Sequence, residues 1–515
     1  MEATPELGRI RRGGRSARRV LRQTPRAAPA VGLKRSIPTY ELLSDEGLTQ
    51  IEEAADTILQ EIGMEFRGDP EVLEIWRQAG ADVKGERVRF ERGMLRKIIQ
   101  ATAPGEFVQH ARNPERSVTF GGDNIVFAPA MLLPSVRDLD QGRRSASLED
   151  LIKLIKLTYV SPWMHHSAGA ICEPVDLPVT KRHLDIVYNQ IRHTDKPFMG
   201  ATTTGARAED SLAQVRILFG DEFVDNNCVL INIINVNSPL VFDSTMGEAL
   251  KVYARANQAT IITPFILGGA MGPVTMAGAV AQTLAEAMPG IALTQLIRPG
   301  CPVIFGTITS SLSLRTGTPT YGTPEPALGY LATGQLARRL GVPLRGNGSL
   351  TSSKVADYQD GQESADTLMP SVLAGVNLVL HSAGRSEGGL CLNYEKFVLD
   401  MEHVGMMHTL VRGMALDDNG FALDAFREVE PGKNFFVCKH TLANYETAFH
   451  ESELADHRTV EDWTEAGSPD AAQRANAKMK SMLEEYEAPP LDPALDEELM
   501  AFMEKRKTQL PDTLT

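Results

Sequence analysis

Lys354, Asp357, Asp360 and Glu363 fall within ten positions in the segment GNGSLTSSKVADYQDGQES, residues 346–364. It lies between a strand-like PLR and the apolar run LMPSVLAGVNLVL. A lysine in such a loop is a Schiff-base or proton-abstracting candidate, and equally an ordinary solvated charge. The same density of polar groups recurs where other short apolar runs end. Asn235 and Asn237 close the run CVLINIINVN at a spacing of two, so they share a face if it is a strand. Comparable positions hold Gly268, Gly269 and Met271; Thr307, Thr309 and Ser310; Asn347 and Ser349; and His381 followed by Arg385 and Glu387. Amides, hydroxyls and glycines with one histidine and few acids suit a small polar ligand better than a metal. His381 is a site candidate because it ends a run close to Gly384, although a histidine there also fits a satisfied core position. His165 and His166 are adjacent, so in a strand one of them must point outward. The glycine-rich ILGGAMGP could cradle a phosphate through backbone N–H groups, but no Lys or Arg follows it. The five cysteines are far apart with no CxxC pair, which argues against a disulfide framework or a zinc site. The expectation is that the chain itself binds no metal and no organic cofactor.

Such residues need a scaffold that gathers strand ends. From about residue 125 the sequence alternates short apolar runs with helix-like segments. The runs are NIVFAPA, MHHSAGAI, PFMGATTT, CVLINIINVN, TIITPFILGGA, CPVIFGTITS, PLRGNGS and NLVLHSAG. With a helix after the last, these are eight strand–helix units, the number that forms a (β/α)8 TIM-like barrel, in which active sites lie on the loops after the strands. An open doubly wound sheet is the alternative, and it lacks the expected GxGxxG. The reading is α/β: a basic N-terminal arm over 1–36, a helical and mixed extension over 37–120, a barrel catalytic domain over 121–415 and a helical region over 416–515.

Charge narrows the partners. The chain of 515 residues carries a net −14, while residues 1–36 hold ten Lys or Arg against two Glu, +8, leaving −22 on the rest. That acidic body argues against nucleic acid and anionic membranes as partners. The absence of an eighteen-residue apolar run predicts no membrane span, and the scattered cysteines suggest a reducing cytoplasm. The Arg-rich arm is expected to pack on the enzyme or on a neighbouring subunit of a homo-oligomer, with a targeting role as the alternative.

Long motifs carry a resemblance. The run from GNGSLTSSKVADYQDGQESADTLMPSVLAGVNLVLHSAGRSEGGLCLNYEKFVLDMEHVGMM, preceded by FGTITSSLSLRTGTPTYGTPEPAL, resembles the trimethylamine methyltransferase family. So do RDLDQGRRSASLEDLIKLIKL, the N-terminal RRGGR and the tail VEDWTEAGSPDAAQRANAKMKSMLEEYEAPPLDPALDEEL. The resemblance implies a barrel that binds a methylated amine at its mouth and passes one methyl group to the cobalt of a corrinoid held by a docked partner protein. Founding members carry pyrrolysine in the segment quoted first, whereas this chain has ordinary residues from Ser349 to Lys354. It is therefore similar to the non-pyrrolysine branch, exemplified by glycine betaine:corrinoid methyltransferases.

On that resemblance His381 and Glu387 are the catalytic candidates. A cationic head would seek Phe265, Phe305, Tyr321, Tyr358 and Glu387, and an acid tail His381, Asn235, Asn237 and Asn347. Ser349, with Ser352 and Ser353, would leave room where pyrrolysine otherwise stands, and Gln359 would lie at the start of the next helix. The implied substrate is a quaternary amine such as glycine betaine. Trimethylamine, another methylamine or betaine, a Schiff-base lyase using Lys354 and a catalytically idle betaine-binding barrel are the alternatives.

Overall fold

The structure is a computed structural model describing residues 32–513; residues 1–31 of the basic arm lie outside the described residues. Buried runs rich in Val, Ile and Leu form a ten-stranded sheet. In chain order its strands are β1 (Leu33–Lys34), β2 (Asn124–Phe127), β3 (Phe198–Met199), β4 (Leu230–Val236) and β5 (Ala259–Gly268). There follow β6 (Val303–Gly306), β7 (Ile308–Leu312), β8 (Pro319–Thr320), β9 (Leu344–Asn347) and β10 (Leu378–Leu380). The lateral order is β1-β2-β10-β9-β6-β5-β4-β3, with β7 beside the far half of β5 and β8 beside β7. All neighbours from β2 round to β3 are parallel, and β1 is antiparallel to β2.

Helices alternate with the strand positions of the parallel array, as the sequence predicts. These are α1 (Leu148–Val160), α2 (Arg182–His193), α3 (Gly205–Phe219), α4 (Ser244–Arg255), α5 (Met276–Ile297), α6 (Pro324–Leu340), α7 (Tyr358–Ala374) and α8 (Tyr394–Val411). Local sequence fixes their ends. Ser147 and Asp150 form a reciprocal capping box on α1, Asp357 caps α7, and Gly375 ends α7 in the left-handed region at φ 86°. α5 is apolar on nearly every face and buried along most of its length. It can be, because helices Asp45–Thr57 and Met94–Thr102 of the N-terminal extension cover its outer side. Helices Ala471–Glu484 and Pro493–Gln509 pack on α8 and α1 and on α3 and α2 respectively.

One expected strand is different. Residues 164–171, MHHSAGAI, form no strand, and α2 follows this irregular segment instead. The segment has few β-branched residues, and Ala168 takes φ 57°, which a strand ladder does not allow. Its backbone still bridges the two edges of the parallel array. The amides of His165 and His166 donate to the Phe127 carbonyl at 3.1 and 3.2 Å, Ser167 N donates to Pro197 O at 2.8 Å, and Met199 N donates to Ala168 O at 2.8 Å. Buried side chains supply the rest. Lys196 Nζ donates to the carbonyls of Thr158, Ser161 and Met164 at 2.8, 3.0 and 2.7 Å. Gln190 Nε2 reaches Gly169 O at 2.6 Å, and Gln109 pairs with His166 Nε2 at 3.1 Å.

Candidate active site

A cavity of about 440 Å³ lies at the C-terminal ends of the parallel strands. β4 contributes Ile233 and Asn235, with Asn237 just beyond it, all at a spacing of two. β5 contributes Thr263 and Phe265 by the same periodicity, and the turn after it Met271. Ile308 comes from β7, Arg345 from inside β9, His381 and Arg385 from just past β10, and Met131 and Leu132 from the segment after β2.

Asn235, Asn237, Phe265 and His381 are thus brought together as the sequence suggests. The remaining candidates stand elsewhere. Phe305 is fully buried in β6 and Ser349 is buried beyond β9, neither of them in the cavity lining. Tyr321 is buried beside Arg385, which does line the cavity. Asn347 Nδ2 donates to Tyr330 Oη at 2.7 Å. Tyr358 is 83% exposed at the start of α7, and Gln359 donates along the helix to Glu363 at 2.8 Å. Glu387 is ion-paired with Arg143 at 2.9 Å.

The crowded loop at 346–364 proves to be stitched rather than open. Glu363 accepts from Ser352 N at 2.6 Å and from Thr351 Oγ1 at 2.7 Å, while Ser353 Oγ donates to Asp357 at 2.9 Å. Asp360 joins Asp400 around the buried Lys396 ammonium, at 2.8 and 2.9 Å. Asp400 also accepts from Gly384 N at 2.8 Å, fixing the turn that carries Arg385. Lys354 is exposed and donates only to Ser352 O, at 2.8 Å. Nothing there buries it, as a Schiff-base lysine requires.

Two arginines dominate the electrostatics. Arg345 is 1% exposed; its Nη1 donates to Thr307 O at 3.2 Å and its Nε has no hydrogen-bond partner. Arg385 is half-buried and donates to Met131 O at 3.3 Å. Among the described residues neither forms a salt bridge with an Asp or Glu. Burial, then the neighbouring Arg385, push the Arg345 guanidinium down to about 9, so it remains charged at neutral pH. Burial and the two guanidinium groups hold the His381 imidazole well below its ordinary value, hence neutral. His381 Nδ1 is buried without a partner, and its backbone sits at φ 59°, a conformation costly for a non-glycine residue.

The opposite wall has the other sign. Behind Ser238, which lines the cavity, lies the fully buried Glu286 carboxyl. It accepts from Ser238 Oγ at 2.5 Å, Leu240 N at 2.8 Å and Gln282 Nε2 at 2.7 Å. Burial pushes this carboxyl up and the three donors pull it back. Sequence reasoning placed Arg385 near the mouth but passed over Arg345 and Glu286. An arginine between small and apolar residues in PLRGN was the available signal for the first. Glu286 had none, since a single acid in a helix is ordinarily solvated.

A curled α/β sheet with a cavity at its strand ends defines a class, and sequence comparison names it. The chain belongs to the trimethylamine methyltransferase family, whose description matches residues 11–511. It is a methyltransferase, and its relatives differ in the substrate they are named for. It is 40% identical to the glycine betaine methyltransferase of Desulfitobacterium hafniense strain Y51, across 91% of this chain and 98% of that one. It is 26% identical to the trimethylamine methyltransferase of D. hafniense strain DSM 10664 / DCB-2, across 90% of this chain and 94% of the relative. The crystal structure of the Methanosarcina barkeri monomethylamine methyltransferase aligns with 87% of this chain and 95% of its own at 11% identity and a TM-score of 0.30, too slight to argue from.

Proposed function

We propose that this chain moves a methyl group from a quaternary amine such as glycine betaine to the Co(I) centre of a corrinoid carried by a partner protein. The sheet, completed through residues 164–171, acts as a (β/α)8 barrel, and the acceptor approaches over the cavity at its mouth. The corrinoid is a second substrate and remains with its own protein.

The observation that carries this reading is the set of titratable groups lining the cavity: a neutral His381 and two arginines. None of these is a carboxylic acid or a protonated imidazole poised to hand a proton to a departing amine at neutral pH. A quaternary nitrogen needs no proton. Its C–N bond breaks with the electron pair left on nitrogen, releasing a neutral tertiary amine, and the methyl carbon takes the pair supplied by the acceptor. The enzyme then contributes alignment of carbon with acceptor, exclusion of water and a fixed field, which are large effects when the geometry is held. A tertiary amine is cationic only through a bound proton, and two nearby guanidinium groups disfavour that proton. A quaternary nitrogen feels the same repulsion but cannot lose its charge, so it stays activated.

The test is glycine betaine against dimethylglycine, which share the carboxylate and differ at nitrogen. Each is mixed with the protein and chemically reduced cobalamin, and methylated corrinoid is followed by absorbance. Glycine betaine should be turned over and dimethylglycine should not. Faster turnover of dimethylglycine would show that a side chain activates tertiary amines, and the reading would fail.

A further inference from the structure

Lys396 and Lys196 show how this protein normally treats a buried cation. Lys396 has two carboxylates within 2.9 Å, and Lys196 has three carbonyl oxygens within 3.0 Å. Lys251 and Arg96 likewise pair with Asp69 and Asp56. Arg345 and Arg385 differ in that no acid answers either charge among the described residues: each has one backbone acceptor, Arg385 also lies beside Tyr321, and Arg345 Nε, like single nitrogens of several paired arginines, is a buried donor without a partner. Leaving a buried guanidinium underpaired is costly unless a ligand completes it. His381 Nδ1, also buried and unpartnered, belongs to the same lining.

From this we infer that Arg345 and Arg385, with His381 beside them, form the anchor for a substrate carboxylate, so that the enzyme selects zwitterionic betaines over quaternary ammonium ions lacking an acid group. The inference rests on the proposed methyl transfer and names the substrate class of that same cavity. Guanidinium groups match a carboxylate in geometry as well as charge, since two parallel N–H donors can meet its two oxygens.

The arrangement across the cavity agrees. β9 and β10 bring the arginines to one side, while β4 and β5 bring Asn235, Asn237 and Phe265 to the other, with Glu286 behind Ser238 there. A dipolar molecule lies along this field, its carboxylate on the arginine side and its ammonium towards the amides, the Phe265 ring and the buried acid. Depth matters too. Arg345 sits inside β9 rather than past its end, so an acid group held there leaves the methylated nitrogen nearer the mouth, where the acceptor must arrive. A cation without the carboxylate meets the guanidinium charge and gains no partner to offset it.

Wild-type specificity is the first arm of the test. Glycine betaine and choline share the trimethylammonium group and differ by carboxylate against hydroxyl. Glycine betaine should exceed choline in kcat/KM by at least about 100-fold, since charged hydrogen bonds are lost and a charge is left facing charge. Equal turnover of choline or tetramethylammonium would overturn the anchor while leaving methyl transfer from quaternary amines intact.

The second arm is calorimetric binding of dimethylglycine, which keeps the carboxylate, to wild type, R345M, R345K, R385M and R385K, each checked for folding by its melting curve. The methionine variants should bind about 10- to 100-fold more weakly, with partial recovery in the lysine variants. Affinity unchanged in folded methionine variants would overturn the assignment. This arm does not depend on turnover. If no quaternary amine were demethylated yet dimethylglycine still bound through the arginines, the anchor would stand and the methyl-transfer reading would fail.

Discussion

His381 and Lys354 offered two chemistries in one sequence neighbourhood, and their surroundings separate them. Lys354 is exposed and touches only its own loop, so Lys354→Ala should leave kcat/KM within about twofold, the usual range for a surface side chain. His381 lines the cavity, buried and neutral, on a strained turn. In the proposed anchor its ring supplies one orienting hydrogen bond to substrate, so His381→Ala should lower kcat/KM by about 5- to 150-fold, equivalent to about 1–3 kcal/mol. Steady-state assays with glycine betaine check both. A large loss with Lys354→Ala beside an unaffected His381→Ala would return the lysine to the site. Glu387, read from sequence as a catalytic candidate, is occupied by Arg143, and that partner lies 244 residues away in the chain. No local pattern shows such a pairing.

The irregular segment at 164–171 shows what an element costs when backbone pairing is given up. Where a strand would have a ladder on each side, this segment has a few amide contacts and the side chains of Lys196, Gln190 and Gln109. Lys196 is the most exposed to loss, because three carbonyl groups depend on one ammonium. Lys196→Met should destabilise the fold by about 3–5 kcal/mol, since it leaves buried carbonyls unpaired. It should also raise hydrogen exchange at the amides of His165, His166 and Ser167 ahead of the neighbouring strand β4. Exchange rising equally in β4, or a melting curve like wild type, would show that the ladder contacts alone suffice. The sequence reads this segment as a strand because it is one of the short runs that alternate with helix-like segments. That alternation does not show Ala168 at φ 57°.

At the scale of the whole molecule, the many buried imidazoles set the acid limit of stability. His166 is pushed down to about 3 and His408 and His193 to about 4 by burial, and His165, His381 and His403 are also lowered chiefly by burial. The unfolded chain takes up these protons near pH 6.5 while the folded chain does not, so acidification favours unfolding. Each fully buried imidazole removes up to about 1.4 kcal/mol per pH unit below pH 6. Glu173, Glu286 and Asp400, raised by burial, act in the opposite direction, but six imidazoles outnumber them. The melting temperature should therefore fall from pH 7 to pH 4.5, and a flat profile would mean that some of these imidazoles are already protonated in the folded chain. The sequence by itself determined the alternation of strands and helices, the direction of the sheet, the family and the face of β4 that carries Asn235 and Asn237. Those follow from local periodicity and from long motifs, which are properties of neighbouring residues. Only the tertiary structure decided which polar residues are used for holding loops and which are left free. Asp357, Asp360 and Glu363 are consumed by a helix cap, by Lys396 and by loop donors respectively, whereas Arg345 and Arg385 are left without acids among the described residues. Whether a charge is satisfied depends on partners brought from distant parts of the chain into a low-dielectric interior, and spacing along the sequence carries no record of them.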